Sequence, residues 1–430
     1  MRNRDKDRRN KLTKNELLNI ITNHYLDSLD FNGMPSYELS DCEKLHLEGL
    51  INEDKIFIIS EDDALNIHIN ALNTFGSKEE QISDIYGDKI FAVYPTPQHL
   101  STILIDEDLP FTKMLKKGAE QLRIIYFSVD VLEIYFDNPQ YVIHDFGYRG
   151  SIHMKDYDED DPDIIHSEVI RAFGIAYPRN NENSVDRAIG VLLCDLAKLN
   201  YESQCKWRGF MLKDQNEYLM NYGFVNNLIY GNWHTDFWIF DCVLIAIKHI
   251  NILCESMGIP PMFNHDYSDN TKELIYYRNI LIPTSANYYN FISSLEKIIV
   301  HNLNYKTFTN TATNVKPIER KNEDGNLKGS ITMLKEWLLI NYKSKSDKFE
   351  EYLNNDVISV FREIRDIRQV PAHEMFDNNH DKSLYTAQNL LMNRVYNALY
   401  CLILMLSRHP KNKNIVLPEE LQDQEKIMIY

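Results

Sequence analysis

Apolar residues recur at helical spacing from the start of the chain, where Leu17, Ile20, Ile21 and Tyr25 share one face. Thr13 is positioned to cap this helix, and Glu16, three residues later, completes a capping box. A Gly33-Met34-Pro35 turn leads to a second helix over Ser40–Leu50, and Leu50–Ile59 then reads as a turn followed by a strand. Lys89–Tyr94 reads as a strand stopped by Pro95, and Lys113–Leu122 as a helix. Val129–Phe136, Tyr141–His144 and Ser151–His153 form a predicted antiparallel meander, broken by turns at Asp137-Asn138-Pro139 and Gly147–Gly150.

From about Ser184 the periodicity becomes helical, with helices predicted over Val185–Leu199, Phe237–Met257, Tyr288–Leu303, Ser330–Tyr342, Phe349–Arg368 and Ser383–Leu406. The polar stretch Thr307–Lys328 is the best linker candidate, and the four long segments from Tyr288 onward suit a helical bundle. The expected fold class is α+β, a mixed N-terminal half followed by an α-helical C-terminal half. The predicted divisions are 1–75, 76–183, 184–286 and 287–430.

The chain has 430 residues, 44% of them hydrophobic and 25% charged, enough for two or three cored domains. Its formal net charge of −17 repels a nucleic-acid backbone at long range, so contact with RNA or DNA requires a local basic pocket. The six cysteines are scattered without a C-x-x-C pair, which predicts reduced thiols in a cytoplasm. Neither a secretory h-region nor a bilayer-length apolar run is read; Phe237–Cys254 is interrupted by Asp241, Lys248 and His249. No membrane association is expected. Phosphate-cradling motifs of the G-x-G-x-x-G and Walker types are absent, as is a G-x-S-x-G elbow, so no cofactor is expected.

The sharpest candidate chemistry lies at the end of the fifth predicted helix. Val357, Phe361, Ile364 and Arg368 follow one another at spacings of four, three and four residues, so an arginine continues an apolar stripe. A guanidinium at a seam needs an anion, a carboxylate or helix-end carbonyls. Pro371 is expected to end the helix and bend the chain between Arg368 and His373, bringing both to one rim. An imidazole beside a fixed cation suits RNA cleavage, where histidine moves the proton and arginine stabilises phosphoryl charge. Arg365, Gln369 and Asn378 are the candidate substrate contacts. The competing account is structural: Arg365 and Arg368 bond helix-end carbonyls, and His373 caps or packs in the following loop.

Arg368-x4-His373 resembles the Arg-x4-6-His signature of the HEPN superfamily, over roughly the last 140 residues. That resemblance implies a helical bundle, an endoribonuclease of a bacterial toxin or antiphage system, and a composite cleft formed by a homodimer. It also implies metal-independent attack of the ribose 2′-hydroxyl, with no metal ligands needed. Gln369 stands where asparagine is more usual, and Pro371 interrupts the motif. Residues 1–75 resemble a winged-helix module or a small helical adaptor, and Asp41, Glu43 and Glu48 against Lys44 charge the second helix poorly for DNA. The alternative function is a non-enzymatic sensor or scaffold that binds nucleic acid or a partner protein through its N-terminal half and dimerises through a degenerate HEPN-like bundle.

Three further segments carry weaker signals. Asp156–Asp163 reads as a solvated acidic loop rather than a cation site. Gly231–Trp238 reads as packing at a helix start, with base stacking as the alternative. Leu196–Trp207 resembles a Leu-Pro-x-Glu-x-Gln-x-x-Trp stretch of uncharacterised bacterial proteins.

Overall fold

The capping box at Thr13 forms as expected. The Thr13 N–H donates to Glu16 Oε2 at 2.7 Å and the Glu16 N–H to Thr13 Oγ1 at 3.3 Å, opening helix α1 (Lys14–Asp27). The computed structural model describes residues 12–27, 33–36, 39–60, 76–103, 109–136, 138–145, 147–155, 169–179, 185–232, 236–267, 274–342, 348–373 and 377–430, with the backbone alone at 371–373. The acidic run at 156–163 and residues 233–235 lie outside these.

The chain divides into two compact units, Met1–His234 and Thr235–Tyr430. Unit 1 begins with α1, β1 (Met34–Pro35), α2 (Asp41–Asn52), β2 (Ile56–Ser60), α3 (Lys78–Tyr86) and β3 (Phe91–Pro95). Ser40 and Ser77 open α2 and α3 with capping boxes of their own. The three strands pair antiparallel in the order β1-β3-β2. Leu17, Ile21, Leu47, Leu50, Ile58, Ile85 and Val93 close a core between this sheet and the helices.

Next come α4 (Pro97–Leu100), α5 (Pro110–Lys116), β4 (Ile124–Ser128), α6 (Glu133–Phe136), β5 (Tyr141–Asp145), β6 (Arg149–Met154), β7 (Ile170–Pro178), β8 (Ala188–Leu192), α7 (Leu193–Ala197), α8 (Tyr201–Gly209), β9 (Tyr218–Met220) and α9 (Tyr222–Leu228). The second sheet runs β4-β8-β7-β6-β5, with β9 paired to β7, all antiparallel. Gly174 and Gly190 face each other across β7 and β8 because Met220 and Phe224 lie directly above them. A Cβ on Gly174 would sit 2.0 Å from Met220 Cε, and one on Gly190 2.6 Å from its Sδ.

Three sequence expectations fail in whole or in part in unit 1. Val129–Phe136 is not a strand; the strand is β4, five residues earlier, and Val129–Leu132 is a 3₁₀ turn running into α6. Ser128 Oγ accepts the Asp130 N–H and donates to the Asp130 carboxylate at 2.7 Å, which turns the chain there. Val185–Leu199 is not a helix either. Its centre, Ala188–Leu192, is a fully buried central strand, and only Leu193–Ala197 is helical. Lys113–Leu122 is helical only to Lys116, ending before Gly118 at φ +84°.

Unit 2 contains β10 (Phe237–Trp238), α10 (Ile239–Met257), α11 (Ser285–Ile299), α12 (Tyr305–Thr309), α13 (Ser330–Tyr342), α14 (Phe349–Leu353), a π-helical turn (Asn354–Ile358), α15 (Ser359–His373), α16 (Ser383–Leu406), α17 (Glu419–Gln422) and β11 (Ile427–Met428). Helix α10 packs along α16, and α11 along α15, around one extended apolar core. β11 pairs parallel with β10. The stretch 307–328 is an ordered arm of this unit rather than a linker: Val315 and Ile318 are buried and the Ile318 N–H bonds Phe308 O at 2.9 Å. The protein is thus mixed α/β, with antiparallel sheets and a helical C-terminal half. The sequence divisions after residues 75, 183 and 286 each fall within a compact unit, because β3, β8 and α10 pair or pack across them.

Candidate functional site

Helix α15 leaves its π-helical turn with Val357, Ile358, Val360, Phe361 and Ile364 buried in the bundle. Glu363 on its outer side takes Arg394 of α16 as an ion-pair partner. The last two turns then outrun the packing. Ile367 is half-buried, whereas Arg365, Asp366, Arg368, Gln369 and Val370 are exposed, the valine by 40%. Arg368 does continue the stripe of Phe361 and Ile364 in angle, but it lies in solvent and not at a seam, because α15 extends past the helices that cover its earlier turns. Arg362, Arg365 and Arg368 form no ion pair or hydrogen bond with any described residue.

The expected bend at Pro371 is absent: α15 runs unbroken to His373. Pro371 stands three residues from the helix end, so its missing N–H removes one bond, to Ile367 O, from a turn that was about to finish. On this continuous backbone, positions 368 and 373 are separated by about 140° around the axis and about 7.5 Å along it. Positions 365, 369 and 373, spaced by four, share a face instead. The structure therefore brings Arg365, Gln369 and position 373 to one side, and sets Arg368 on another.

Asn378 is already engaged. Its Oδ1 accepts the Ala286 N–H at 2.9 Å, and the Asn379 carbonyl accepts the Ser285 N–H at 3.0 Å, so this loop completes the cap that Thr284 gives α11. Asp381 in turn accepts hydrogen bonds from Ser383 at the start of α16, and they hold its carboxyl below the usual range. The Asn- and Asp-rich turn thus serves two helix starts.

The 196–207 segment resolves entirely into structure. Gln204 is fully buried; its Oε1 accepts the Phe111 N–H at 2.9 Å, and its Nε2 donates to Leu199 O at 2.8 Å and Thr112 Oγ1 at 3.0 Å. Trp207 donates from Nε1 to the Tyr135 hydroxyl at 2.7 Å. In the Gly231–Trp238 cluster, the Trp238 ring lies 4.7 Å from Phe240, within the apolar packing of unit 2.

Among the described residues no group of three or more His, Cys, Asp or Glu could hold a metal ion. Helix α16 is long and apolar enough to cross a membrane by length and composition, but 56% of its most apolar window is buried within the protein. A cleft between α10 and residues 261–267, which no sequence pattern marks, also brings polar groups together in unit 2. The chain matches no protein-family model, no curated protein and no solved structure.

Proposed function

We propose that unit 2 is an endoribonuclease of the HEPN type, with the exposed end of α15 as its RNA-contacting surface. One observation carries this reading: three arginines, 362, 365 and 368, stand exposed without a described ionic partner in a chain of net charge −17. Solvated cations left unmatched on such a protein form the local basic surface that RNA contact requires. The Arg368-x4-His373 resemblance supplies the chemistry. The 2′-oxygen bonds to phosphorus while the P–O5′ bond breaks, giving a cyclic phosphate and a 5′-hydroxyl. His373 would take and return the protons, Arg368 would stabilise the phosphoryl oxygens, and Arg365 and Gln369 would hold the neighbouring backbone.

Because positions 368 and 373 diverge on one helix, two copies would complete the cleft, the arginine of one facing the histidine of the other. A cytoplasmic toxin or antiphage setting follows from the resemblance, with unit 1 sensing a trigger or engaging a partner protein. The test incubates wild-type protein and His373→Ala with total RNA in EDTA; cleavage by wild type alone supports the enzyme.

The use of Asn378 as a helix cap favours a second reading, a non-enzymatic sensor or scaffold whose helical half only dimerises. It expects no RNA cleavage under any trigger, with nucleic acid or a partner protein bound through the N-terminal half.

A further inference from the structure

The cleft on α10 has a volume of about 440 Å³, within the usual range for small-molecule sites. One wall is a single helical face, with Lys248, Asn251 and Glu255 at successive turns. The opposite wall is the 261–267 strap, and it is fixed rather than loose. Asn251 clamps Phe263 at both backbone atoms, each at 2.9 Å. Asn302, itself 3% exposed, clamps His265 the same way, at 2.9 Å to its N–H and 2.7 Å to its carbonyl. At the rim Tyr267 is held at φ +59°, a backbone conformation strained for a bulky L-residue, with its ring 6.0 Å from that of His265.

The charges are laid out lengthwise. Lys248 and Glu255 are exposed, make no ion pair with any described residue, and lie about 10.5 Å apart along the helix. Asp266 adds a second carboxylate on the strap. A free amino acid carries its ammonium and carboxylate on one α-carbon, only a few ångströms apart, and does not match such separated poles. An anion alone would meet two carboxylates. A nucleotide matches each part: an anionic phosphate for Lys248, a planar ring for the Tyr267–His265 pair, and ribose hydroxyls or an exocyclic amine that donate to Glu255 or Asp266.

We propose that this cleft is a binding site for a ribonucleoside monophosphate, separate from the α15 surface and independent of whether that surface cuts RNA. Thermal shift and calorimetric titration of the full chain with the 5′-monophosphates of adenosine, guanosine, cytidine and uridine test it, beside inorganic phosphate and adenosine alone. At least one nucleotide is expected to bind saturably. Lys248→Glu and Tyr267→Gly should each weaken that binding roughly tenfold or more, through the lost charge and the lost stacking. Glycine accepts the positive φ, so the second variant keeps the strap folded. Arg368→Ala should leave binding unchanged. Absence of saturable binding by all four nucleotides, equal binding by inorganic phosphate, retention in both cleft variants, or loss in Arg368→Ala would each overturn the proposal.

Discussion

Residues 196–207 and 365–373 look alike as strings: each is a short polar motif set among apolar residues, and each resembles a pattern in other proteins. Their surroundings are opposite. Gln204 spends its buried amide on five backbone or hydroxyl groups, and Trp207 spends its indole N–H on Tyr135. Arg365 and Arg368 spend nothing on any described residue and stand in water. A saturated polar group explains the fold around it, whereas an unspent one leaves its chemistry for something outside the chain.

The contrast breaks most visibly at Gln204. Gln204→Ala should cost unit 1 about 4 kcal/mol, since it opens a cavity and strands the Phe111 N–H and Leu199 carbonyl, measured by urea unfolding followed through tryptophan fluorescence. A loss below about 1 kcal/mol would mean that this network is not structural. Ile364→Ala, in the packed part of α15, should cost unit 2 about 3 kcal/mol. Gly174→Ala should cost about 2 kcal/mol by overpacking against Met220 and Phe224, and Met220→Ala in the same chain should recover part of it.

At the other extreme, Arg365→Ala and Arg368→Ala should leave the melting temperature within about 1 °C of wild type, because no described partner is lost. Their effect belongs to RNA. If Arg365 meets a phosphate, its removal should flatten the salt dependence of single-stranded RNA binding by roughly 0.7 in logarithmic slope, read from filter binding across a salt series. An unchanged slope would take Arg365 out of the contact surface.

Signals that act within a few residues were legible in the sequence. The Thr13–Glu16 capping box formed as expected, and the periodicities of α10 and α16 marked helices that the structure contains. Non-local pairing was not legible. Ala188–Leu192 is apolar on both faces because it is a central strand, and such a run looks the same as a buried helix until its partners β4 and β7 are known. At the candidate site the arginine–histidine spacing was visible, but exposure was not: an apolar stripe cannot show that its helix outlasts its neighbours. The α10 cleft left no string at all, because the strap at 261–267 is fixed by Asn302, well beyond it in sequence.

The exposed end of α15 is proposed to cut RNA with His373. Total RNA incubated in EDTA with wild-type protein, Arg368→Ala and His373→Ala, followed by end-group analysis of the fragments, tests it most directly. Wild-type cleavage leaving 2′,3′-cyclic phosphate ends is expected, reduced at least about 100-fold in each variant while RNA binding by His373→Ala persists. Cleavage that survives His373→Ala, or fragments with 3′-hydroxyl ends, would contradict it.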